Sequence, residues 1–587
     1  MRHTKIVATI GPASDDSGVL LELIRAGVDV ARLNFSHGVH EEHRERFKRV
    51  REVAKQAGKF VPIILDTKGP EIRLGVFANG KVELVAGQRF TLSTADQLGD
   101  QNSVSISYKA LPNELGVGDR VLVDDGLVEM QVIELQDQQV VCQVIVGGVL
   151  SNRKGVNIPG RSLTLPALSE QDKADIRLGV ELGFDYIAQS FVRNAADIFA
   201  MRKLLEELGA NIPIIAKIEN RQGVENMAEI IKVADGIMVA RGDMGVEIPT
   251  EDVPLIQKKM IADCNRIGKP VITATQMLDS MIRSPRPTRA EASDVANAIL
   301  DGTDAVMLSG ETASGRYPLE SVRTMARIAM RTEQALEYKE ILRHRDMPKS
   351  PSVTDAISHA TVQAAGDLGA AAIITSTQSG STARMVSRYR PEAPVIAVTT
   401  NEHVARRLNL SWGVYPMLGE PTANTDEMIS SSIARALDAG LIKNGDLTIL
   451  TAGVPVGVPG TTNLLKVHIV GDVLARGMGI GSKPVTGFVV SCQNAKEALH
   501  KVKPGCILVT IGTDKDYIPV LEQVVGLVTE EGGLTSHAAI VALSLGLPVI
   551  VGVAGATSQL TDGQIVTLDT ARGLVYRGQA NIPATVR

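Results

Sequence analysis

The chain has 587 residues and a formal net charge of −5, from 61 lysines and arginines against 66 aspartates and glutamates. Hydrophobic residues make up 44% of it and charged residues 22%, which is ordinary globular composition and excludes a disordered or fibrous chain. At ~150 residues per domain, the length indicates about four domains. The charge balance has no global basic excess, so we expect no nucleic-acid partner.

The cysteines favour a reducing, cytoplasmic setting, because their spacing fits neither a disulfide framework nor a metal site. They are Cys142, Cys264, Cys492 and Cys506. The N-terminus has no apolar core long enough for a signal peptide. The stretch 534–561 has no charged residue and is long enough to be a membrane candidate. Three glycines and a proline divide it into a short helix and a short strand, so we expect buried α/β core and no membrane partner.

Eight short β-rich runs alternate with helical patterns through the first 340 residues, which predicts a parallel (β/α)8 barrel, the TIM-barrel fold. The runs are KIVATI (5–10), VDVARLNF (28–35), VPIILDT (61–67), DYIAQSF (185–191), PIIAKIE (213–219), GIMVARGD (236–243), PVITATQ (270–276) and AVMLSGET (305–312). The barrel is expected to comprise residues 1–69 and 166–340.

An insert after the third strand has a different character. Residues 70–165 read as short strands separated by Gly and Asp turns, which predicts a small all-β module, a β-barrel lid. The insert follows a strand end, where the active sites of such barrels lie. We therefore expect it to cover the site.

Two further α/β units follow the barrel. A connecting helix is predicted over 335–351, and five strands between 371 and 470 indicate an α/β regulatory domain over 352–473. The remaining residues, 474–587, have their own strands FVVSC, CILVT and VIVGV. They predict an extra C-terminal α/β module.

Several barrel strands end in polar side chains, which is where barrel enzymes place catalytic groups. Lys217 and Glu219 are two residues apart on one strand, so both side chains are expected to point the same way. The neighbouring strands end with Asp243 and Thr275. Other polar residues are expected at the same end of the barrel. They are Arg32, Asn34, Ser36, Asp66 and Thr67.

This set of side chains suits phosphoryl transfer, where positioning and charge neutralisation supply most of the catalysis. Glu219 and Asp243 are hard oxygen ligands of the kind that hold Mg2+ while leaving positions for substrate and water. Arg32, Arg73 and Lys217 are anion partners. The alternative is that these charges form salt bridges that seal the rim of the barrel.

The sequence resembles pyruvate kinases over residues 1–473. The motifs that carry the resemblance are KIVATIGPAS (5–14), ARLNFSHG (31–38), LDTKGPEIR (65–73), AKIEN (216–220), MVARGDMGVEIP (238–249), TATQMLDSM (273–281), PTRAEASDVANAI (287–299) and MLSGETASGRYP (307–318). The resemblance implies transfer of phosphate from phosphoenolpyruvate to ADP, giving pyruvate and ATP in the last step of glycolysis. It also implies a homotetramer and allosteric regulation.

The resemblance also implies roles for individual residues. Glu219 and Asp243 match the ligands of Mg2+ or Mn2+, and Gly242, Asp243 and Thr275 match contacts to the substrate carboxylate. Lys217 matches the lysine that stabilises the phosphoryl and enolate charge, and Thr275 lies near the face where the enolate is protonated. Arg32 matches a phosphate-binding arginine.

The family's K+ cage matches Asn34, Ser36, Asp66 and Thr67, and Glu71 is the residue found in members that need K+. Arg73 and Lys154, near the two ends of the insert, match the family's contacts to the nucleotide phosphates. Asn34 is expected close to them. The alternative for Arg73 and Lys154 is that they are solvated surface charges.

The segment TSTQSGSTARMVSRYRP (375–391) is similar to the family's allosteric sugar-phosphate loop. The matching positions are Thr377, Ser379, Gly380, Ser381 and Thr382. Family members often have a basic residue where Ser381 stands, which disfavours fructose 1,6-bisphosphate and makes a sugar monophosphate or AMP the expected effector. The alternative is a plain helix cap and turn.

The tail segment EEGGLTSHAAIVALSLGLPVIVG (530–552) resembles the phosphohistidine domain of phosphoenolpyruvate-utilising enzymes. The phosphorylated histidine of that motif corresponds to His537. The partner domains of those enzymes are not seen in this sequence, so the tail is also compatible with a structural module.

Three functions are therefore weighed. The favoured one is the pyruvate kinase reaction. The second is phosphohistidine transfer from phosphoenolpyruvate, led by the tail. The third is a metabolite-sensing scaffold without turnover, against which the set Lys217, Glu219, Asp243 and Thr275 argues.

Overall fold

The computed structural model describes residues 1–161, 163–345, 351–454, 462–481 and 483–580. The chain forms two compact units. The first contains residues 1–351, 378–391 and 401–418, and the second contains 352–377, 392–400 and 419–587. Residues 346–350 of the predicted connection lie outside the described residues.

The first unit begins with three strand–helix repeats that match the predicted pattern. Strands and helices are numbered in chain order. They are β1 (Lys5–Thr9), α1 (Ser17–Ala26), β2 (Val30–Asn34), α2 (His40–Gln56) and β3 (Ile63–Asp66).

The insert follows β3 and contains nine strands and a short helix. They are β4 (Ile72–Arg73), β5 (Lys81–Leu84), β6 (Arg89–Ser93), β7 (Ser103–Ser105), α3 (Leu111–Glu114), β8 (Arg120–Val123), β9 (Val128–Gln136), β10 (Gln139–Val146), β11 (Gly148–Ser151) and β12 (Gly155–Asn157). The strands form a seven-stranded sheet, ordered β4-β12-β8-β9-β10-β6-β7, and a separate β11-β5 ribbon, around one apolar core. Apart from the short helix α3, the insert is built from β-strands as predicted, and these form two sheets and not one closed barrel.

The chain then returns to the barrel and completes it. These elements are α4 (Glu170–Leu182), β13 (Tyr186–Gln189), α5 (Ala195–Glu207), β14 (Ile214–Ile218), α6 (Arg221–Glu225), α7 (Met227–Val233), β15 (Gly236–Ala240), α8 (Arg241–Glu247), α9 (Val253–Ile267), β16 (Val271–Ala274), α10 (Arg289–Leu300), β17 (Ala305–Leu308), α11 (Gly310–Ala313), α12 (Pro318–Glu333) and α13 (Tyr338–His344).

The eight barrel strands are parallel and close in the order β1-β17-β16-β15-β14-β13-β3-β2, which confirms the predicted barrel. The strands are buried on both faces, so their sequences are near-continuous apolar runs. Local chemistry starts two of the surrounding helices. Ser169 and Thr288 each form a capping box with an acidic residue three positions later.

Further elements of the first unit follow later in the chain. They are α15 (Ser381–Ser387), α16 (Glu402–Leu408) and β20 (Val414–Leu418). Arg406 on α16 is buried and pairs with Asp185, at the start of β13, across 2.9 Å. These segments therefore pack at the N-terminal ends of the barrel strands, opposite the ends that carry the predicted site.

The second unit contains the rest of the predicted regulatory region. Its elements there are α14 (Val353–Leu368), β18 (Ala372–Ser376), β19 (Val395–Thr399), α17 (Thr425–Asp438), β21 (Leu447–Ala452) and β22 (Leu464–Ile469). The strands β19, β18 and β21 are parallel neighbours, and β22 adds an antiparallel edge.

The tail forms its own sheet within the second unit. Its elements are β23 (Val473–Arg476), β24 (Met478–Ile480), β25 (Val485–Ser491), α18 (Ala495–Lys501), β26 (Cys506–Thr510), α19 (Ile518–Leu521), β27 (Gly526–Thr529), α20 (His537–Leu545), β28 (Val549–Val551), α21 (Ala556–Gln559), β29 (Ile565–Asp569) and β30 (Leu574–Arg577). The sheet order is β23-β30-β29-β25-β26-β27-β28-β24.

Two consecutive strands, β23 and β24, thus pair with opposite edges of the tail sheet. The chain in β24 passes very close to other backbone, and a Cβ on Gly479 would lie 1.8 Å from the carbonyl oxygen of Thr570. Only glycine fits there. Two apolar clusters lie on the two faces of this sheet, so the tail has its own core.

The charge-free stretch of the tail is divided as predicted into α20 and β28. Across the described ranges, every helix is too short or too polar to cross a membrane.

A buried histidine near the N-terminus makes the stability of the first unit pH-dependent. The His3 ring packs against the Trp412 ring at a centroid distance of 4.4 Å, and burial, together with the Lys5 charge, lowers the His3 pKa to about 3. The unfolded chain, with a histidine pKa near ~6.5, binds the proton first as the pH falls. The stability due to neutral His3 is complete above pH ~6.5 and is lost progressively toward pH ~3.

We therefore expect His3→Gln to flatten the acid limb of the stability profile. The wild type should lose up to ~1.4 kcal/mol per pH unit below pH ~6.5 relative to the variant. Calorimetric Tm values for both proteins at several pH values between 7.5 and 5 test this. A Tm difference that stays constant over that range would contradict it.

Candidate active site

Lys217 lies at the centre of the site, where the carboxyl ends of the barrel strands meet. Its Nζ atom is 3.0 Å from Asp66 Oδ1 and 3.0 Å from Glu219 Oε1, and it donates a 2.7 Å hydrogen bond to Ser190 Oγ. The contact with Glu219 confirms that the two side chains share one side of the chain, as alternation along β14 requires. Burial alone would lower the Lys217 pKa, but the carboxylates raise it, so the ammonium stays charged.

Asp66 links this lysine to Arg32. Arg32 Nε donates to Asp66 Oδ2, and its Nη1 donates to Thr9 Oγ1 at 2.9 Å. Asp66 is fully buried, which would raise its pKa, but Arg32 and Lys217 outweigh burial and lower it. The carboxylate is therefore ionised, and it holds two cations side by side.

Glu219 and Asp243 form the acidic part of the site. Burial raises the pKa of Glu219 to about 7, and the negative charge of Asp243 adds to this. Burial also raises the pKa of Asp243, with further contributions from Asp125 and Glu71 of the insert. Both carboxylates are buried and both pKa values are raised, so this part of the site is short of positive charge.

The residues predicted to bind the substrate carboxylate lie on a short helix and a strained turn. The strand β15 ends at Ala240, so Gly242 and Asp243 stand in the first turn of α8 and not on the strand. The Gly242 N–H donates to Thr275 Oγ1 at 2.7 Å. Thr275 has a positive φ of 65°, which is unfavourable for a β-branched residue and is found mostly at functional sites.

Arg241 holds that turn in place. Its guanidinium donates to the carbonyl oxygens of Ala274 and Thr275, at 3.2 and 2.7 Å, and to Asp294 Oδ1 at 2.7 Å. A planar fork can satisfy these acceptors together, whereas a lysine cannot.

The predicted monovalent-cation residues lie at the ends of neighbouring strands. Asn34 on β2 is in register with Asp66 on β3. Asn34 Oδ1 accepts the Ser36 N–H at 3.2 Å, and the Thr67 carbonyl accepts the Ser190 hydroxyl at 2.6 Å.

A cavity of about 610 Å³ lies between the insert and the barrel. Its walls include the predicted nucleotide residues Arg73 and Lys154, together with Asp243. Lys154 Nζ is 2.8 Å from Asp124 Oδ1, and Arg73 pairs with Glu71. The insert therefore forms one wall of a cavity that reaches Asp243.

The sequence analysis missed several members of the site. They are Ser190, Arg241, Asp125 and the cavity residues Arg161, Arg193 and Arg221. The strand-end rule could have found Ser190, which follows β13 directly. The arginines follow no local pattern.

One polar strand end has a structural role. Glu311, after β17, accepts the backbone N–H groups of Leu278 at 3.0 Å and Ser309 at 2.7 Å. Within the described residues no group of three or more His, Cys, Asp or Glu side chains could hold a metal ion. Glu219 and Asp243 are a pair, which suits an ion that keeps positions for substrate and water.

The fold and this site define a class: a (β/α)8-barrel phosphotransferase whose active site carries a charged lysine beside paired carboxylates. The comparisons with known proteins identify the family. The pyruvate kinase barrel domain matches residues 1–322, the pyruvate kinase alpha/beta domain matches 355–468, and the mobile domain of PEP-utilising enzymes matches 502–573.

Similar proteins extend over the whole chain. The pyruvate kinase of Geobacillus stearothermophilus is 55% identical over 99% of this chain and 100% of its own length. Those of Bacillus licheniformis and Staphylococcus aureus are 54% and 49% identical, each over 99% of this chain and 100% of its own length. The crystal structure of a pyruvate kinase from Cryptosporidium parvum matches with a TM-score of 0.76 and 43% identity, over 80% of this chain and 96% of that one. The chain belongs to the pyruvate kinase family.

Because Arg241 positions Thr275, we expect Arg241→Lys to lower kcat/KM by ~10- to 100-fold, since misplacing a reacting group by ~1 Å can cost ~10²-fold. The Tm should change little, because the loss is local. Steady-state kinetics with calorimetry test this, and Arg283→Lys, at an exposed position, is the matched control. Unchanged kcat/KM in Arg241→Lys would contradict the positioning role.

Proposed function

We propose that this enzyme transfers the phosphoryl group of phosphoenolpyruvate to ADP, giving pyruvate and ATP, with Lys217 as the central catalytic residue. The observation that carries the proposal is the buried Lys217 ammonium held between Asp66 and Glu219. A fixed positive charge in a dry site is worth far more in stabilising a transition state than one in water.

In this proposal Lys217 and Arg32 face the transferring phosphoryl group, and Lys217 also stabilises the enolate left after transfer. The carboxylate of phosphoenolpyruvate is bound by the Gly242 backbone and by Thr275, with Asp243 beside them. Thr275 also lies on the face where the enolate takes up its proton.

Glu219 and Asp243 fit a divalent cation, Mg2+ or Mn2+. Both are oxygen donors, and both have pKa values raised by burial. Such an ion would neutralise negative charge on the phosphoryl group and the carboxylates. Glu219 and Asp243 themselves place two carboxylates close to Lys217.

The K+ assignment rests on Asn34, Ser36, Asp66 and Thr67. Their amide, hydroxyl, carbonyl and carboxylate oxygens are hard donors, and the register of Asn34 with Asp66 supports a common site. Asp66 also pairs with Arg32 and Lys217, so a cation there would share its carboxylate.

The nucleotide is proposed to occupy the cavity between the insert and the barrel. Its volume, about 610 Å³, is within the ~300–1,000 Å³ of small-molecule sites. Arg73 and Lys154 would contact the phosphates, with Asn34 nearer the transferring group.

Allosteric control is assigned to Thr377, Ser379, Gly380, Ser381 and Thr382, with a sugar monophosphate or AMP as the effector. Support comes from the local geometry: Gly380 has φ 80° directly before α15, and the Ser381 N–H donates to Ser379 Oγ at 3.4 Å. The proposal includes a homotetramer in the cytoplasm. The four free, buried cysteines are in keeping with a reducing compartment.

The tail is proposed to be a structural module over 474–587. His537 is the first residue of α20, and its Nδ1 lies 3.1 Å from Thr513 Oγ1. The tail around it has its own apolar core. The family match over 1–322 favours barrel chemistry over the tail-led alternative.

Lys217→Met should lower kcat by at least ~10³-fold, in line with the loss of a preorganised charge worth roughly 3–4 kcal/mol. Binding of phosphoenolpyruvate should suffer less. A coupled assay of ATP formation, with and without Mg2+ and K+, measures this. The matched control is Lys5→Met, which removes another fully buried lysine at the opposite ends of the strands. A kcat within tenfold of the wild type would refute the role of Lys217.

His537→Ala should leave the steady-state rates of ATP formation nearly unchanged, because every proposed catalytic residue lies before residue 320. The check is a coupled assay, together with a search for acid-labile phosphate after incubation with phosphoenolpyruvate. Labelled His537 together with a rate loss in the variant would mean that the tail takes part in catalysis.

A further inference from the structure

A second cavity lies in the first unit, at the N-terminal ends of the barrel strands. Its volume is about 410 Å³. It is lined by the C-terminal ends of α9 and α10, by α13 and by residues 388–390. Asp301 and Gly302 in its wall lie shortly before β17 in the chain, so this cavity lies at the end of the barrel opposite Lys217.

The wall of this cavity is strongly cationic. Four arginines line it: Arg266, Arg345, Arg388 and Arg390. The acidic side chain among its described lining residues is Asp301, which is already paired with Lys258. Arg266 pairs with Asp263 and Arg390 with Asp304. Arg345 forms no ion pair with a described residue, so its positive charge lies in the wall without an acidic partner there.

Two of these arginines each have a buried N–H donor without a hydrogen-bond partner among the described residues. Arg345 Nη1 and Arg390 Nε are both buried and have no hydrogen-bond partner among the described residues. A buried donor without a partner costs free energy that a bound acceptor recovers.

Arg345 and Arg390 differ in how many of their N–H groups have hydrogen-bond partners. Arg390 is 3% exposed, and its other nitrogens bind Asp304 at 3.0 Å and Asn265 at 2.6 Å. This fixes the orientation of its guanidinium. Burial, and then the charge of Arg390, lower the pKa of Arg345 to about 9. Arg345 is the group that most needs a negative partner.

We propose that this cavity binds a phosphate monoester, with Arg345 as its main anchor and the rigid Arg390 beside it. A dianion matches several convergent guanidinium groups, which favour phosphate through paired N–H···O bonds. The volume exceeds that of phosphate alone and is within the range of small-molecule sites, and the wall also has apolar side chains, Ile299, Leu336 and Ile341. The ligand thus combines a phosphate with a small organic group.

This site is distinct from the loop assigned to the allosteric effector. That loop precedes α15, whereas Arg388 and Arg390 follow it. At ~1.5 Å per residue, seven helical residues separate the two ends by ~10 Å. The proposal therefore does not depend on the loop assignment, and a molecule in the cavity would contact the segment that continues from that loop.

The test is equilibrium dialysis of the full-length enzyme with radiolabelled inorganic phosphate and, separately, with ribose 5-phosphate. Arg345→Gln removes the anchor charge, and Leu300→Asp places a negative charge at the rim, on a side chain that is 55% exposed. Ser381→Glu removes the loop as a source of binding. Arg331→Gln makes the anchor's substitution at an exposed arginine on α12 and is the matched control.

We expect Arg345→Gln to bind ribose 5-phosphate at least tenfold more weakly than the wild type, or to bind one equivalent fewer per chain. Leu300→Asp should weaken binding severalfold. Ser381→Glu and Arg331→Gln should retain this binding. The proposal is overturned if both Arg345→Gln and Leu300→Asp bind as the wild type does, if the wild type binds neither probe, or if Ser381→Glu alone abolishes all binding. Leu300→Asp changes an exposed position, so the test stands even if Arg345→Gln does not fold.

Discussion

The buried ion cluster of Arg32, Asp66, Lys217 and Glu219 is the interaction on which the rest of the site depends. Charges removed from water are costly unless each has a partner and hydrogen bonds. Here two carboxylates and two cations alternate, so each charge has an opposite neighbour. The arrangement keeps Lys217 charged and leaves the outer carboxylate, Asp243, with less compensation.

The barrel makes this cluster possible because it sets the positions of strand ends from residues far apart in sequence. Arg32, Asp66 and Lys217 are on three different strands. The register pairs Asn34 with Asp66, and Lys217 with Met238 on the next strand. A side chain at the end of a buried parallel strand has little freedom to move, so the charges are preorganised and their separation is fixed before substrate binds.

The sequence predicted the barrel well because its strands are apolar runs of similar length separated by helical segments. It also predicted the meeting of Lys217 and Glu219, since alternation along a strand is a local property. It could not predict Arg241, whose contacts are with a turn more than thirty residues away. The same holds for the cationic cavity, because Arg266, Arg345 and Arg390 come together only through the packing of separate helices. The start of α8 was also missed, since GIMVARGD continues as a strand by composition and becomes helical only after Ala240.

The insert acts on the acidic half of the site through charge. Asp125 and Glu71 raise the pKa of Asp243, so the position of the insert influences how readily that carboxylate ionises. A cation bound at Glu219 and Asp243 would reverse this effect, because the same insert carboxylates would then be attracted toward the site. Arg73 pairs with Glu71 and Lys154 with Asp124, so the cations of the proposed nucleotide site are themselves paired with acidic residues of the insert. The insert, the proposed metal position and the proposed nucleotide cavity therefore share one set of charges, and a change in any of them alters the electrostatic environment of the other two.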